Sequence, residues 1–453
     1  MRPPELVVRG RRVVLPEGER PAAIHVRDGT IVAVGAPDDV PRGTPVLDAG
    51  DLAVLPGLVD THVHLDDPGR ADWEGFETGT RAAARGGVTT LVDMPLNSVP
   101  PTTTVAGLAA KRAAAEGRCH VDVGFWGGVV PGNTPDLRPL HEAGVLGFKC
   151  FLVPSGVEEF AHVTKSDLRE ALPEIARLGG VLLYHAELPG PIQEARAAAG
   201  ASTAHATWLA TRPRSAENEA VALVARLARE TGVRAHVVHV SSADALPIAR
   251  EARGAGARLT LETCPHYLTL ATEDVPDGAT AFKCAPPLRE RANRERLWDA
   301  LREGLIEMIV TDHSPAPPAL KRLDEGDFLA AWGGIASLEL GLSAVWTAAS
   351  ERGFTLADAA RWMSAAPARL AGLDRRKGAI APGRDADLVL FDPDARFTVE
   401  PARLEQRHKI TPYAGRTLRG RVRATLLRGR TIFDEGTGFP SPPSGRILRR
   451  ETP

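Results

Sequence analysis

The chain has 453 residues, of which 43% are hydrophobic and 25% charged, with a formal net charge of -2. Those proportions are those of an ordinary globular protein. A near-zero charge without long basic or acidic blocks excludes nucleic acid or an anionic membrane surface as the main partner. No apolar run approaches the ~20 residues of a membrane span, and Met1-Arg2-Pro3-Pro4-Glu5 lacks an apolar signal region. Cys119, Cys150, Cys264 and Cys284 are scattered without metal-type or redox-type spacing, so reduced thiols in a cytoplasmic protein are expected. The length calls for one large domain and one smaller one.

Residues 1–54 read as short strands and turns: Leu6–Gly10, Ala23–Val26 and Thr30–Val34, separated by Gly, Pro and Asp. They are too few to bury a core alone. The other end of the chain offers partners. Ala386–Phe391 is a strand, and Val422–Leu427 with Thr431–Phe433 reads as a hairpin turning at Arg428-Gly429-Arg430. The expectation is a small β-sandwich built from both chain ends, residues 1–54 plus 376–453, interrupted by a central domain, 55–375.

The centre alternates apolar runs with Ala/Leu/Glu/Arg helical patterns. Eight strand candidates are 58–65, 89–96, 120–129, 144–152, 180–187, 234–241, 257–266 and 306–315. Between them lie helical patterns such as Trp73–Arg85, Ser166–Leu178, Glu217–Thr231, Ala243–Ala255 and Asn293–Glu303, with Leu338–Glu351 and Leu356–Leu373 after the last strand. Such alternation implies a parallel sheet with crossover helices, and eight strands suggest a closed (β/α)8 barrel of the TIM type. The competing architecture is an open doubly wound sheet. No G-x-G-x-x-G follows the early strands, which disfavours a dinucleotide-binding version.

A barrel carries its chemistry at the C-terminal ends of its strands. His62 and His64 end the first strand two residues apart, so they share a face, about 7 Å apart along the strand. Lys149 sits in apolar strand four, His185 ends strand five, His239 lies near the end of strand six, and Asp312 ends strand eight. Taken singly, His185 reads as a hydrogen-bonded core histidine and Asp312 as a helix N-cap. Together they read as metal ligands. Strand parity lets only one of His236 and His239 face the interior; His239, nearest the strand's C-terminal end and followed by Ser241 and Ser242, takes that place and leaves His236 a packing or outer-face residue. By the same parity His313 stands behind Asp312. His266 either touches the site or orders the loop after strand seven. A buried ammonium beside cations is costly. The conflict disappears if Lys149 is neutral and has reacted with CO2 to form a carbamate able to bridge two metals. The competing reading is a buried salt bridge, for example with Asp312.

These residues, with Pro56-Gly57-Leu58-Val59-Asp60-Thr61-His62-Val63-His64 and Gly383-Arg384-Asp385-Ala386-Asp387, resemble the amidohydrolase superfamily nearly end to end. The likeness is to its cyclic-amidohydrolase branch of dihydroorotases, dihydropyrimidinases or hydantoinases, and allantoinases. Pro68-Gly69-Arg70, Asp93–Ser98, Gly147–Phe151, Ser314–Pro317 and Ala331–Ala336 are most similar to the allantoinase members. The resemblance implies two divalent metal ions, usually zinc. His62, His64 and Asp312 would hold one, His185 and His239 the other, and N6-carboxylated Lys149 would bridge them. It implies hydrolysis of the hydantoin ring amide of allantoin to allantoate, in purine degradation, by a metal-bridging hydroxide with Asp312 as general base and acid. Asn97, Ala285, Gly333 and Gly334 are the substrate-binding candidates. A homotetramer is implied by analogy. The alternatives are a hydantoinase or dihydropyrimidinase type of cyclic amidase, or a non-catalytic scaffold. Three positions depart from branch patterns. Asp66 stands where dihydroorotases carry a carboxylate-binding arginine, and would repel a carboxylate there. Pro154 stands where dihydropyrimidinases carry a tyrosine, and Ala285 replaces a serine.

Overall fold

The apolar runs of the central segment form eight short parallel strands. They are Leu58–Val63, Val88–Asp93, Asp122–Phe125 continued by Gly127–Gly128, Phe148–Phe151, Val181–His185, Arg234–Val237, Leu259–Thr263 and Met308–Ile309. Each pairs with the next in parallel register. A bridge between Val63 and His313 closes the ring, and the His64 N–H donates to the His313 carbonyl at 2.8 Å. This computed structural model describes residues 2–197 and 199–450. Nearly every barrel-strand residue is buried, which is why these strands read as continuous apolar runs rather than alternating ones.

The helices follow their own local chemistry. Lys165–Arg177 opens on a capping box, with the Thr164 hydroxyl accepting from the Asp167 N–H and the Asp167 carboxylate accepting from the Thr164 N–H. Arg214–Thr231 buries its Ala, Val and Leu face and ends at Gly232 in a left-handed conformation (φ 70°). Val105–Ala115 and Thr134–Glu142 were not expected from the pattern. The first is so rich in alanine that its two faces hardly differ, and the second carries Pro139 inside it.

The two chain ends meet in one sheet of eight strands. The order is Arg430–Asp434, Thr417–Leu427, Leu388–Thr398, Ala53–Pro56, Leu6–Leu15, Gly18–Arg27, Thr30–Gly35, with Val46–Asp48 also pairing Leu6–Leu15. The antiparallel pairing of Leu388–Phe391 with Ala53–Pro56 is the join. Apolar side chains from both halves, including Val8, Ile24, Val54, Leu388 and Leu426, form one core cluster. The expected hairpin turn lies between Leu427 and Arg430. Arg428 (φ 48°) and Gly429 (φ 75°) both take positive φ, as a two-residue type I′ turn requires. The tail leaves this sheet: Ile447 bridges to Val123 of the barrel, and Leu448 packs with barrel residues. Residues 1 and 451–453 of the expected small domain lie outside the described residues.

One buried ion cluster binds this sheet to the N-terminal end of the barrel. The Lys377 ammonium donates to Asp122 at 2.6 Å and Asp387 at 2.7 Å, and lies 2.9 Å from Asp385. Arg428 adds a second cation on Asp122. Burial lowers the lysine's proton affinity, but the three carboxylates outweigh it and hold Lys377 charged.

Candidate metal centre

Strand one delivers His62 and His64 to the C-terminal mouth of the barrel. The His62 Nε2 lies 3.1 Å and the His64 Nε2 3.7 Å from Asp312 Oδ1. All three are buried, and their ligand atoms lie within 4.8 Å of one another. On the other side, the His239 Nε2 stands 2.9 Å from the His185 Nδ1, and the His62 and His239 ring centroids are 5.4 Å apart. Phe151 stacks on His185 at 4.5 Å. The Lys149 amine is fully buried and has no hydrogen-bond partner among the described residues, so the salt bridge to Asp312 does not form. It lies 5.0 Å from the Phe151 ring.

Strand register corrects the reading of His236. Lys149, Leu183, His236 and Thr260 are successive register partners and therefore share one face, the barrel interior. His236 is not an outer-face residue. Its ring bonds Thr260 Oγ1 and Glu262 Oε2, each at 2.8 Å. His239 reaches the same site because strand six stops at Val237, not 241, and His239 adopts φ 41°. Strand eight likewise stops at Ile309, and Asp312 turns in with φ 46°. Asp66 (61°) and Asn97 (64°) share this left-handed backbone. Such strain persists only where surrounding contacts over-determine it, and it concentrates at functional sites.

The carboxylates that supply those contacts escaped the sequence reading. Glu262 accepts from His62 Nδ1 at 2.5 Å, from the His239 N–H at 3.2 Å and from His236. Its presence inside apolar Leu259–Thr263 was the same signal that singled out Lys149. Asp60 accepts from the N–H groups of His62 and Thr311, each at 3.0 Å, tying strand one to the Asp312 turn. Glu187 bonds His185 Nε2 at 2.8 Å and pairs with Arg212. His313 turns away, to Glu74 at 3.3 Å. His266 is buried, its ring lies within 4.8 Å of Cys264 and Asp312, and it has no hydrogen-bond partner among the described residues, so it touches the site.

Electrostatics follow from burial and these pairs. Burial lowers the proton affinity of His62, but Asp312 and Glu262 outweigh it and raise its pKa to about 9. Burial leaves His64 at about 3, and His239 well below its ordinary value. Burial likewise lowers Lys149 to about 8. Neutral imidazoles at His64, His185 and His239, a His62 whose extra proton a cation would displace, an ionised Asp312 and an amine that loses its proton readily form a donor set that fits divalent cations.

A cavity of about 360 Å³ opens over these groups. Asn97, Ala285, Gly333 and Gly334 all line it, as do Pro154 and Ser155. Asp66 does not. It is buried outside the lining, and burial raises its pKa, which favours the uncharged carboxyl.

A model of the amidohydrolase family matches residues 53–432. The chain belongs to the amidohydrolase family. It is 54% identical to an allantoinase of Streptomyces avermitilis over 99% of both chains. It is 44% identical to an allantoinase of Saccharomyces cerevisiae over 96% of this chain and 97% of the other. Among solved structures, an L-hydantoinase (dihydropyrimidinase) from Arthrobacter aurescens superposes with a TM-score of 0.93 at 33% identity. That match covers 98% of this chain and 100% of the other. No helix among the described residues is long and apolar enough to cross a membrane.

Proposed function

We propose that the chain hydrolyses the hydantoin ring amide of allantoin to allantoate. The convergence of four histidines, Asp312 and a partnerless buried Lys149 beneath one cavity carries this reading. The relatives favour allantoin as substrate: allantoinases reach 54% identity, hydantoinase structures 33%.

In this reading His62, His64 and Asp312 hold one divalent ion and His185 and His239 a second, zinc being the ion that suits imidazole and carboxylate donors. Lys149, as a carbamate, would add an anionic ligand to this set. The bound ions supply Lewis acidity that polarises the scissile carbonyl and eases deprotonation of the attacking water. Asp312 takes the water's proton as its oxygen bonds to the ring carbonyl carbon, then returns it to the ring nitrogen as the C–N bond breaks. Glu262 holds His62 and the His239 backbone in position, and Glu187 does the same for His185. Asn97, Ala285 and the Gly333-Gly334 backbone are placed to contact the ring. The four free, buried cysteines are consistent with a cytoplasmic enzyme, and the tetramer is a family analogy that sedimentation analysis checks.

The test is a panel of allantoin, hydantoin, dihydrouracil and dihydroorotate with metal-loaded enzyme. Highest kcat/KM on allantoin is expected, and preference for any other member overturns the assignment in favour of that cyclic amidase.

A further inference from the structure

Another buried lysine lines the cavity away from the metal ligands. Lys283 is only 4% exposed. Its ammonium donates to the carbonyls of Leu329 at 3.2 Å and Ala331 at 2.5 Å, and lies 4.1 Å from the Trp208 ring. It forms no ion pair among the described residues. Trp208 is fixed by its indole N–H on the Cys284 carbonyl at 2.9 Å. Arg212 also lies against Trp208, at 4.9 Å, and pairs with Glu187, the carboxylate that holds His185. Lys283 is thus tied through Trp208 and Arg212 to the His185 side of the centre. An ammonium has three donors. Two are taken by carbonyls, which leaves one for a molecule in the cavity.

Lys321 provides an internal contrast. It pins the same wall segment through the carbonyls of Trp332, at 3.3 Å, and Gly334, yet it does not line the cavity. One lysine shapes the wall from behind, while the other also lines the cavity.

We infer that Lys283 is a specificity-determining donor that hydrogen-bonds the ureido oxygen of the substrate, the group that separates allantoin from bare hydantoin. The inference rests on the function proposed above. A ureido carbonyl accepts this hydrogen bond, whereas an alkyl substituent in its place leaves a buried donor unmet. Such mismatches are what cavities discriminate most strongly.

The experiment measures kcat/KM for allantoin, hydantoin and 5-propylhydantoin with metal-loaded wild type, Lys283→Met and Lys321→Met. Wild type is expected to prefer allantoin over 5-propylhydantoin by roughly tenfold or more. In Lys283→Met the allantoin-to-hydantoin ratio is expected to fall roughly 10- to 100-fold. Lys321→Met is expected to lower both substrates alike, so that its ratio stays near wild type. An unchanged ratio in Lys283→Met, or an equal fall of the ratio in Lys321→Met, overturns the role of Lys283. If Lys283→Met does not fold, equal wild-type turnover of allantoin and 5-propylhydantoin overturns it instead. Wild type inactive on allantoin but active on another ring defeats the proposed function, and this inference with it. Activity on allantoin with an unchanged mutant ratio defeats the inference alone.

Discussion

Lys149 is buried inside the barrel near its C-terminal mouth and Lys377 where the companion sheet meets the opposite end, and their surroundings differ completely. Lys377 meets Asp122, Asp385 and Asp387, each within 2.9 Å. Lys149 meets no hydrogen-bond partner among the described residues. The first amine is held charged and binds the companion sheet to the barrel. Burial pushes the second towards neutrality, down to about 8. A satisfied buried charge is architecture, because removing one member strands the others. An unsatisfied one among four imidazoles is a place where something else binds.

Lys149→Ala should break the comparison most visibly. Bound metal and turnover are expected to be lost, with partial rescue by added short carboxylates, as read by elemental analysis beside activity. Full metal content would remove Lys149 from the centre. Asp312→Asn is expected to lower kcat by about 10²- to 10⁴-fold with metal retained. Full activity would end its role as proton carrier. Lys377→Met should reverse the pattern, costing about 3–5 kcal/mol in urea unfolding while the folded enzyme keeps its metal. Wild-type stability in that variant would mean the three carboxylates do not need their cation. Glu262→Gln is expected to weaken metal affinity about 10- to 100-fold in chelator competition. An unchanged affinity would leave Glu262 as packing only.

The smallest effect is on pH dependence. In chelator-treated protein, His64 has its pKa lowered from 6.5 to about 3 by burial. Between those values the unfolded chain binds the proton and the folded chain does not, so stability falls as pH falls from 6.5 towards 3. Calorimetric Tm should decline across that window, and His64→Asn should flatten the decline. An identical slope in the variant would show that His64 is not the group responsible.

How much of the site was legible depended on where each residue sat relative to its strand. His62 and Lys149 lie within strands and His64 directly after one, so period two and an apolar context sufficed. His236 was misplaced because parity was counted from His239, which lies beyond the strand's end and takes a left-handed turn. Asp66 was taken to face the substrate, but it is buried with φ 61° and lies outside the cavity lining. Local sequence does not reveal a positive φ at Asp, His or Asn, because contacts from other elements enforce it.

The sequence alone determined the eight-strand alternation, the meeting of the two chain ends and the convergence of His62, His64, Lys149, His185, His239 and Asp312 on one end of a barrel. These follow from hydrophobic periodicity and from the position of polar residues at strand ends. Only the tertiary structure decided that Glu262 gathers two histidine rings and a third backbone, that Lys377 rather than Lys149 is paired, and that Lys283 faces the cavity. Each joins residues that are distant along the chain, such as His62 and Glu262, 200 positions apart. Pairings of that kind arise from how closed strands and crossover helices stack, and no local period encodes them.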